Sequence, residues 1–309
     1  MGARSVARPR RGQGGRTGSP PFEGPSLNRV FVPIDRQELL ERARTARASL
    51  RACCLCERRC GVDRAAGARA PCGLNDQTGC FKRHISYAEE IDLLPSYMVY
   101  FGGCNFRCRF CVQAPECFAP HRDTLVDPPA AARDFERVVS RGARTINLIG
   151  GEPSLHLHTI LEIAAAAESP LPLVLNSNMY MTPEVIDLLD GVVETYIADF
   201  KFGSDSCARS LAGVDRYVEV VTRNLLHASR SAALIVRHLV MPGHVECCFR
   251  PVAQWLAEHL PLAPFTLMTG YVPAWRAARQ GDDLGRCLTE AERSEAEEFT
   301  LELGLRRAG

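Results

Sequence analysis

Three cysteines, Cys104, Cys108 and Cys111, stand at the spacing C-x3-C-x2-C within Gly102-Gly103-Cys104-Asn105-Phe106-Arg107-Cys108-Arg109-Phe110-Cys111. Three thiolates on one short loop can converge on one face of a cubane iron–sulfur cluster. Three ligands for four irons leave one iron open, which is what chemistry requires. Three buried thiols or a zinc knuckle are the plainer readings of the same spacing. A second set, Cys53, Cys56, Cys60 and Cys72, precedes it. Four thiolates at these spacings hold zinc or a second iron–sulfur cluster, with Arg58 and Arg59 offsetting part of their charge. Cys54 and Cys80 are spare ligands for that set, and Cys117 is the nearest extra thiol to the first.

Other chemistry-bearing residues recur where a strand pattern ends. Gly150-Gly151-Glu152-Pro153 follows an apolar run; the two glycines permit close approach to the backbone, and Glu152 adds a carboxylate. Asp199 and Lys201 are two apart on a strand and share a face, which also fits an ordinary ion pair at a strand end. Asn176-Ser177-Asn178 closes another strand, and Arg237 or its neighbour His238 is the inward residue of a further one. His156 and His158, two apart on a helix, do not converge. Cys207, Cys247, Cys248 and Cys287 lack ligand spacing as a group and read as packing residues.

The elements that must position these groups alternate. Strands are predicted over 96–101, 145–149, 173–176, 193–200, 233–241 and 264–269. Helices are predicted over 35–51, 128–141, 155–168, 182–189, 214–229, 245–259 and 290–303. Asp35 and Thr182 serve as caps, and Thr289 and Glu292 stand at capping-box spacing. Strands separated by helices imply right-handed crossovers and a parallel sheet, and about six such units fit a partial (β/α)6 barrel better than a flat sheet. Barrel active sites lie at the C-terminal ends of the strands, where the Cys104–Cys111 loop, Gly150-Gly151-Glu152, Asn176, Asp199 and Lys201 fall. The division expected is a disordered Arg/Gly/Pro-rich tail over 1–28, a helix plus Cys-rich extension over 29–95, the barrel over 96–285 and a C-terminal helix over 286–309. With few large apolar residues, the Cys-rich extension is expected to need a metal to fold.

Composition bounds the function. The 309 residues are 46% hydrophobic and 24% charged with a net charge of +1, so a soluble α/β protein is expected, with neither a membrane span nor a global field for nucleic acid. Fourteen cysteines in such a chain, without a secretory leader, argue for metal or cluster ligation in a reducing cytoplasm rather than a disulfide scaffold.

Together the stretch Cys104 to Cys111, with an aromatic residue before its last cysteine, resembles the radical S-adenosylmethionine (radical SAM) signature. The resemblance implies a radical SAM barrel in which a [4Fe-4S] cluster on Cys104, Cys108 and Cys111 chelates SAM. Reductive cleavage of SAM then gives a 5′-deoxyadenosyl radical for hydrogen abstraction. It implies further that Phe110 packs near the adenine and that Gly150, Gly151 and Glu152 form the family's GGEP motif for the SAM amino group. Asp199 and Lys201 resemble the Asp-x-Lys of pyruvate formate-lyase activating enzymes, Arg237 matches an arginine in those activases, and Asn176 faces the same cavity. With its extra cysteines preceding the motif, the chain looks like the PflX branch of the activating enzymes over about residues 50 to 280. Two departures are Val112-Gln113 after the last cluster cysteine, where the branch usually has Gln-Asn, and the lack of a His at the last strand.

The expected activity is therefore that of a radical SAM enzyme activating a glycyl-radical enzyme, or one modifying a small molecule or peptide. A one-electron donor such as a flavodoxin or ferredoxin is implied as partner. The rival class is a non-catalytic iron–sulfur electron-transfer or sensor protein. Such a protein has no use for Gly150-Gly151-Glu152, Asp199 and Lys201 around an open iron.

Overall fold

The computed structural model describes residues 31–88, 90–120 and 124–308; the tail over 1–28, expected to be disordered, lies outside them. Eight strands form one sheet: β1 (Gly79–Ser86), β2 (Ser96–Phe101), β3 (Thr124–Leu125), β4 (Thr145–Gly150), β5 (Leu173–Ser177), β6 (Thr195–Asp199), β7 (Ala233–Leu239) and β8 (Phe265–Met268). Their order is β3-β1-β2-β4-β5-β6-β7-β8. From β2 to β8 every neighbouring pair is parallel, which gives the six parallel strands of the expected partial barrel. β1 and β3 extend the sheet antiparallel beyond β2. Sequence reading missed both, because β1 (Gly-Cys-Phe-Lys-Arg-His-Ile-Ser) lacks the alternation of a half-buried strand and β3 is two residues long.

The helices are α1 (Arg36–Ala48), α2 (Pro128–Ser140), α3 (Leu157–Ala166), α4 (Pro183–Leu189), α5 (Asp205–Ala212), α6 (Tyr217–Ala228), α7 (Arg250–His259) and α8 (Glu290–Glu302). Capping chemistry sets their starts. Asp35 accepts from the Glu38 N–H, and Thr289 and Glu292 form a full capping box. Thr182 occupies the N-cap of α4, yet its hydroxyl donates to the Cys54 carbonyl (3.2 Å) and so ties the Cys-rich extension to the barrel instead. α5 is an unanticipated second helix in the β6–β7 crossover, eight residues long and closed by Gly213 in the left-handed conformation.

Alternation along the strands sorts two apolar layers. Ile146, Leu148, Leu173, Leu175, Tyr196, Ala198 and Val236 point outward into the core shared with the helices. Val174, Ile197 and Ile235 point into the lumen, where Leu93 joins them. Along the same inward rows, nearer the strands' C-terminal ends, come Asn176, Asp199 and Arg237, with Asn147 beside Val174. His238 therefore faces outward, its Nδ1–H donating to the Phe200 carbonyl (2.7 Å), and Arg237 is the inward residue. Among the described residues no helix is long and apolar enough to cross a membrane.

Candidate functional site

The cysteine loop leaves β2 under tight backbone control. The Gly103 N–H donates to Cys117 O (2.7 Å), Cys104 N–H to Cys72 O (3.2 Å), and Arg107 and Arg109 N–H to Ala212 and Leu211 at the end of α5 (2.9 Å each). His156 braces the Gly102 carbonyl at 2.8 Å. Gly150 and Gly151 are explained here by backbone packing. Gly150 has φ +117°, and a Cβ on Gly151 would lie 1.9 Å from the Gly103 carbonyl oxygen. The Gly151 and Glu152 N–H groups donate to Phe101 O (2.8 Å) and Gly103 O (2.9 Å), so the close approach these glycines allow is that of the cysteine loop itself.

The three thiols lie near enough to act on one another. Burial pushes Cys104 well up, helped by Cys108, Glu152 and Cys111. Burial likewise pushes Cys108 up to about 12, against the pull of Lys201. Cys111 is drawn down to about 7 by a hydrogen bond from Cys117, whose sulfur stands 3.7 Å away. Buried thiols become thiolates readily only against a cation, so a donor set of three thiols beside Lys201 fits a cationic iron–sulfur cluster.

Glu152 is buried and fully engaged. Its Oε1 accepts from the Ser154 hydroxyl (2.7 Å) and N–H (3.2 Å) and from the Ser177 hydroxyl (2.8 Å); its Oε2 accepts from the Asn178 N–H (2.9 Å). Burial raises its pKa, and these bonds restrain the rise. Asn178 in turn donates to Asn105 in the cysteine loop (2.8 Å), so Glu152 locks the ends of β4 and β5 to that loop.

Asp199 and Lys201 form an ion pair at 2.5 Å. The Tyr217 hydroxyl clamps the turn between them, accepting from the Lys201 N–H (2.7 Å) and donating to the Asp199 carbonyl (3.3 Å). Burial works against the charge on Lys201, but Asp199 and the Cys108 thiol outweigh it, and its ammonium holds its proton above the usual range. Phe110 is buried, with its ring centroid 6.2 Å from Phe202 and 6.3 Å from Tyr271.

Arg237 makes a bidentate pair with Glu90 (2.7 and 2.6 Å), and Thr266 donates to the same carboxylate (2.9 Å). Burial opposes the Glu90 charge, yet the Arg237 hydrogen bonds and charge prevail and hold it below the usual carboxylate range. Replacing Glu90 with Gln turns the charge-assisted bidentate contact to Arg237 into a neutral one and is expected to cost about 1–3 kcal/mol in thermal unfolding at neutral pH. Because the folded pKa is lowered from 4.5, the pair's contribution is present above that value and lost as pH falls through the lowered one. The Gln variant should therefore lose less stability than wild type across that acidic window. Equal slopes would show that the pair does not carry this energy.

Two lumen amides are buried with atoms lacking any partner: both polar atoms of Asn147 and the Nδ2 of Asn176. Orphaned groups at this depth are costly and mark a place for a polar ligand such as SAM. Asn147 is not among the residues singled out from the sequence; the signal that could have found it is that it is the one polar residue inside the run Ile146–Ile149.

The N-terminal cysteines gather beside this loop. Cys56 is pushed up to about 12 by burial and by Cys72 and Cys53; Cys72 is raised by burial and by Cys53 and Cys60. The segment Leu55-Cys56-Glu57 pairs with the loop after β5 through Cys56 and Met181. Arg58 donates to the Asn105 carbonyl (2.5 Å). Arg64, fully buried, reaches the Cys53 sulfur (3.7 Å) and keeps one nitrogen, Nη2, without a partner. A buried cation against Cys53 and near Cys72 fits a negatively charged metal–thiolate centre. Cys54 is exposed and Cys80 interacts with Arg83 on β1, so neither spare joins the set. Composition could not single out Arg64 or Glu90 among many charged residues.

Comparison with known proteins gives a consistent picture. A model of the Radical SAM superfamily matches residues 98–256. The uncharacterized protein MJ0674 of Methanocaldococcus jannaschii is 33% identical over 261 residues, 81% of this chain and 76% of that one. The 7-carboxy-7-deazaguanine synthase of Methanothermobacter thermautotrophicus is 27% identical over 155 residues, 47% of this chain and 60% of its own. The GTP 3′,8-cyclase of Synechococcus elongatus is 33% identical over 67 residues, 22% of this chain and 20% of its own. Among solved structures, Streptococcus suis SuiB bound to S-adenosylmethionine aligns with a TM-score of 0.49 and 14% identity, covering 64% of this chain and 44% of SuiB. The chain thus spans under half the length of that structural neighbour.

Proposed function

The chain belongs to the radical SAM superfamily, with a [4Fe-4S] cluster and SAM as its cofactors, and on that footing we propose that it abstracts hydrogen from a substrate presented at the barrel mouth. Cys104, Cys108 and Cys111 would hold the cluster, and Gly150, Gly151, Glu152, Asn176, Asp199 and Lys201 would surround SAM, with Phe110 against its adenine. When bound, these groups supply one-electron cleavage of SAM to methionine and a 5′-deoxyadenosyl radical. The observation that carries the reading is the Asp199–Lys201 pair set against the Cys108 thiol at the end of β6. Lys201 offsets thiolate charge there, Asp199 offers a carboxylate to a cationic ligand, and the apolar floor of Val174, Ile197 and Ile235 keeps water out below.

The substrate reading we favour is a glycyl-radical enzyme, supported by the resemblance of Asp199-Phe200-Lys201 to the Asp-x-Lys of the activating enzymes, with a flavodoxin- or ferredoxin-like electron donor. The names of two relatives, a GTP 3′,8-cyclase and a 7-carboxy-7-deazaguanine synthase, support a small molecule instead. Anaerobically reconstituted protein with SAM and a strong reductant should release 5′-deoxyadenosine; none would be released by an electron carrier or sensor. A glycyl-radical signal in a partner protein by electron paramagnetic resonance separates the two substrate readings.

Asp199→Asn should weaken SAM binding about 10- to 100-fold, the cost of one charge-assisted hydrogen bond, with iron content unchanged. Calorimetric titration with SAM checks this. Wild-type affinity in the variant would reduce Asp199 to an ion-pair element.

A further inference from the structure

Cys248 packs in the core and Cys207 and Cys247 pack against it, as expected from the sequence, yet packing is not their whole arrangement. With His244 they bring one donor atom each to a single point, all four within 4.8 Å of one another. The Cys207 and Cys247 sulfurs are 3.5 Å apart, and Cys247 and Cys248 4.0 Å. His244 Nδ1 lies 3.2 Å from Cys247 and 3.7 Å from Cys207. Donors sharing one tetrahedral zinc, at bond lengths of about 2.3 Å to sulfur and about 2.0 Å to nitrogen, stand about 3.8 Å apart for two sulfurs and about 3.5 Å for sulfur and nitrogen. The observed spacings bracket those values. They are too short for a cubane cluster, whose ligand sulfurs each bind a different iron. Nor do they describe a disulfide, because sulfurs 3.5 and 4.0 Å apart are far beyond the bond length of about 2.05 Å.

Local structure explains the convergence. His244, Cys247 and Cys248 sit at i, i+3 and i+4, one face of a helical turn, and the turn Val245–Phe249 is a widened π-type turn. Cys207 is in the first turn of α5, held by the Ser204 cap. Gly203 lets the two loops meet: a Cβ there would fall 2.5 Å from the Cys248 carbonyl oxygen. The sequence did carry a signal, His244-x2-Cys247-Cys248; it escaped because the cysteines were grouped without the histidine.

We infer that Cys207, His244, Cys247 and Cys248 hold one zinc ion in a closed Cys3His site that staples the loop after β6 to the loop after β7. Four protein ligands fill a tetrahedral zinc, so the site is structural and offers no open position. Its place gives it a role. The loop after β6 carries Lys201, and α5 ends in the two carbonyls, Leu211 and Ala212, that receive the cysteine loop's Arg109 and Arg107 N–H groups. The ion would fix α5, and α5 fixes the cysteine loop.

The test uses full-length protein, purified anaerobically, stripped with a chelator, and reloaded with iron, sulfide and zinc. Elemental analysis should find about one more zinc per chain in wild type than in Cys207→Ser or His244→Ala, with iron equal in all three. Cobalt(II) as a probe should give tetrahedral thiolate absorption in wild type that weakens in each variant. Should a variant misfold and lose iron as well, alkylation mapping of wild type decides: Cys207 and Cys247 should be protected by zinc and exposed by the chelator. Equal zinc in wild type and folded variants, or alkylation of Cys207 and Cys247 indifferent to zinc, overturns the site.

Discussion

Cys108→Ala is expected to reduce 5′-deoxyadenosine release to background while the barrel stays folded. The thiol is buried in the core on the loop after β2, where Cys104, Cys111 and Lys201 stand near it. Trading a small buried thiol for a methyl group changes little volume, so the folding cost should stay near about 1 kcal/mol. The loss of function should be near total, because two thiolates cannot hold a four-iron cluster and still leave a single open iron for SAM. Circular dichroism should be unchanged, thermal unfolding slightly lowered, and iron reduced by the share of one cluster. Cys117, with its sulfur 3.7 Å from Cys111, is the thiol placed to substitute, and the double variant Cys108→Ala/Cys117→Ala closes that route. Wild-type cleavage rates in both variants would show that the open cluster is held elsewhere.

What the sequence revealed divides along physical lines. The six parallel strands were legible because each is a short apolar run bounded by turn residues and followed by a helical period. The cysteine loop and the Asp199–Lys201 pair were legible because ligation and strand parity impose short, local spacings. Glu90 with Arg237 was not, because the two are 147 residues apart in the chain, and Arg64 against Cys53 was not, because nothing in a charged residue's own neighbours tells that it will be buried. The glycines of Gly150-Gly151 were visible, but their reason was not. They admit the backbone of another loop, and which loop arrives there is a tertiary fact. The Cys-rich extension also holds more core than its composition suggested, since Leu50, Leu55 and Leu74 are buried in the main cluster, with Leu74 filling the space beside Gly103.

That packing sharpens what to expect of Cys56→Ser/Cys60→Ser. The double variant should lose one metal centre, iron or zinc, and the segment between residues 53 and 72 should become open to proteases, while iron at Cys104, Cys108 and Cys111 persists. Four thiolates close a tetrahedral or cubane site completely, so this centre can stabilise the extension or pass electrons but cannot chelate SAM. A structural metal of this kind contributes on the order of 10 kcal/mol to the fold it organises, more than three buried leucines supply. The loss is not passive. Arg64, buried against Cys53 and near Cys72, would face two thiols no longer held as thiolates by a metal, and a buried cation without that negative centre favours opening of the segment. Its neighbours then feel the change through the bond from Cys104 N–H to Cys72 O and through Arg58 on the Asn105 carbonyl. SAM cleavage with a chemical reductant should therefore survive at reduced rate. With a protein electron donor it should fall further if the centre relays electrons, and in equal proportion if the centre is structural only. Metal content and protease pattern identical to wild type would mean that no centre forms at these four cysteines.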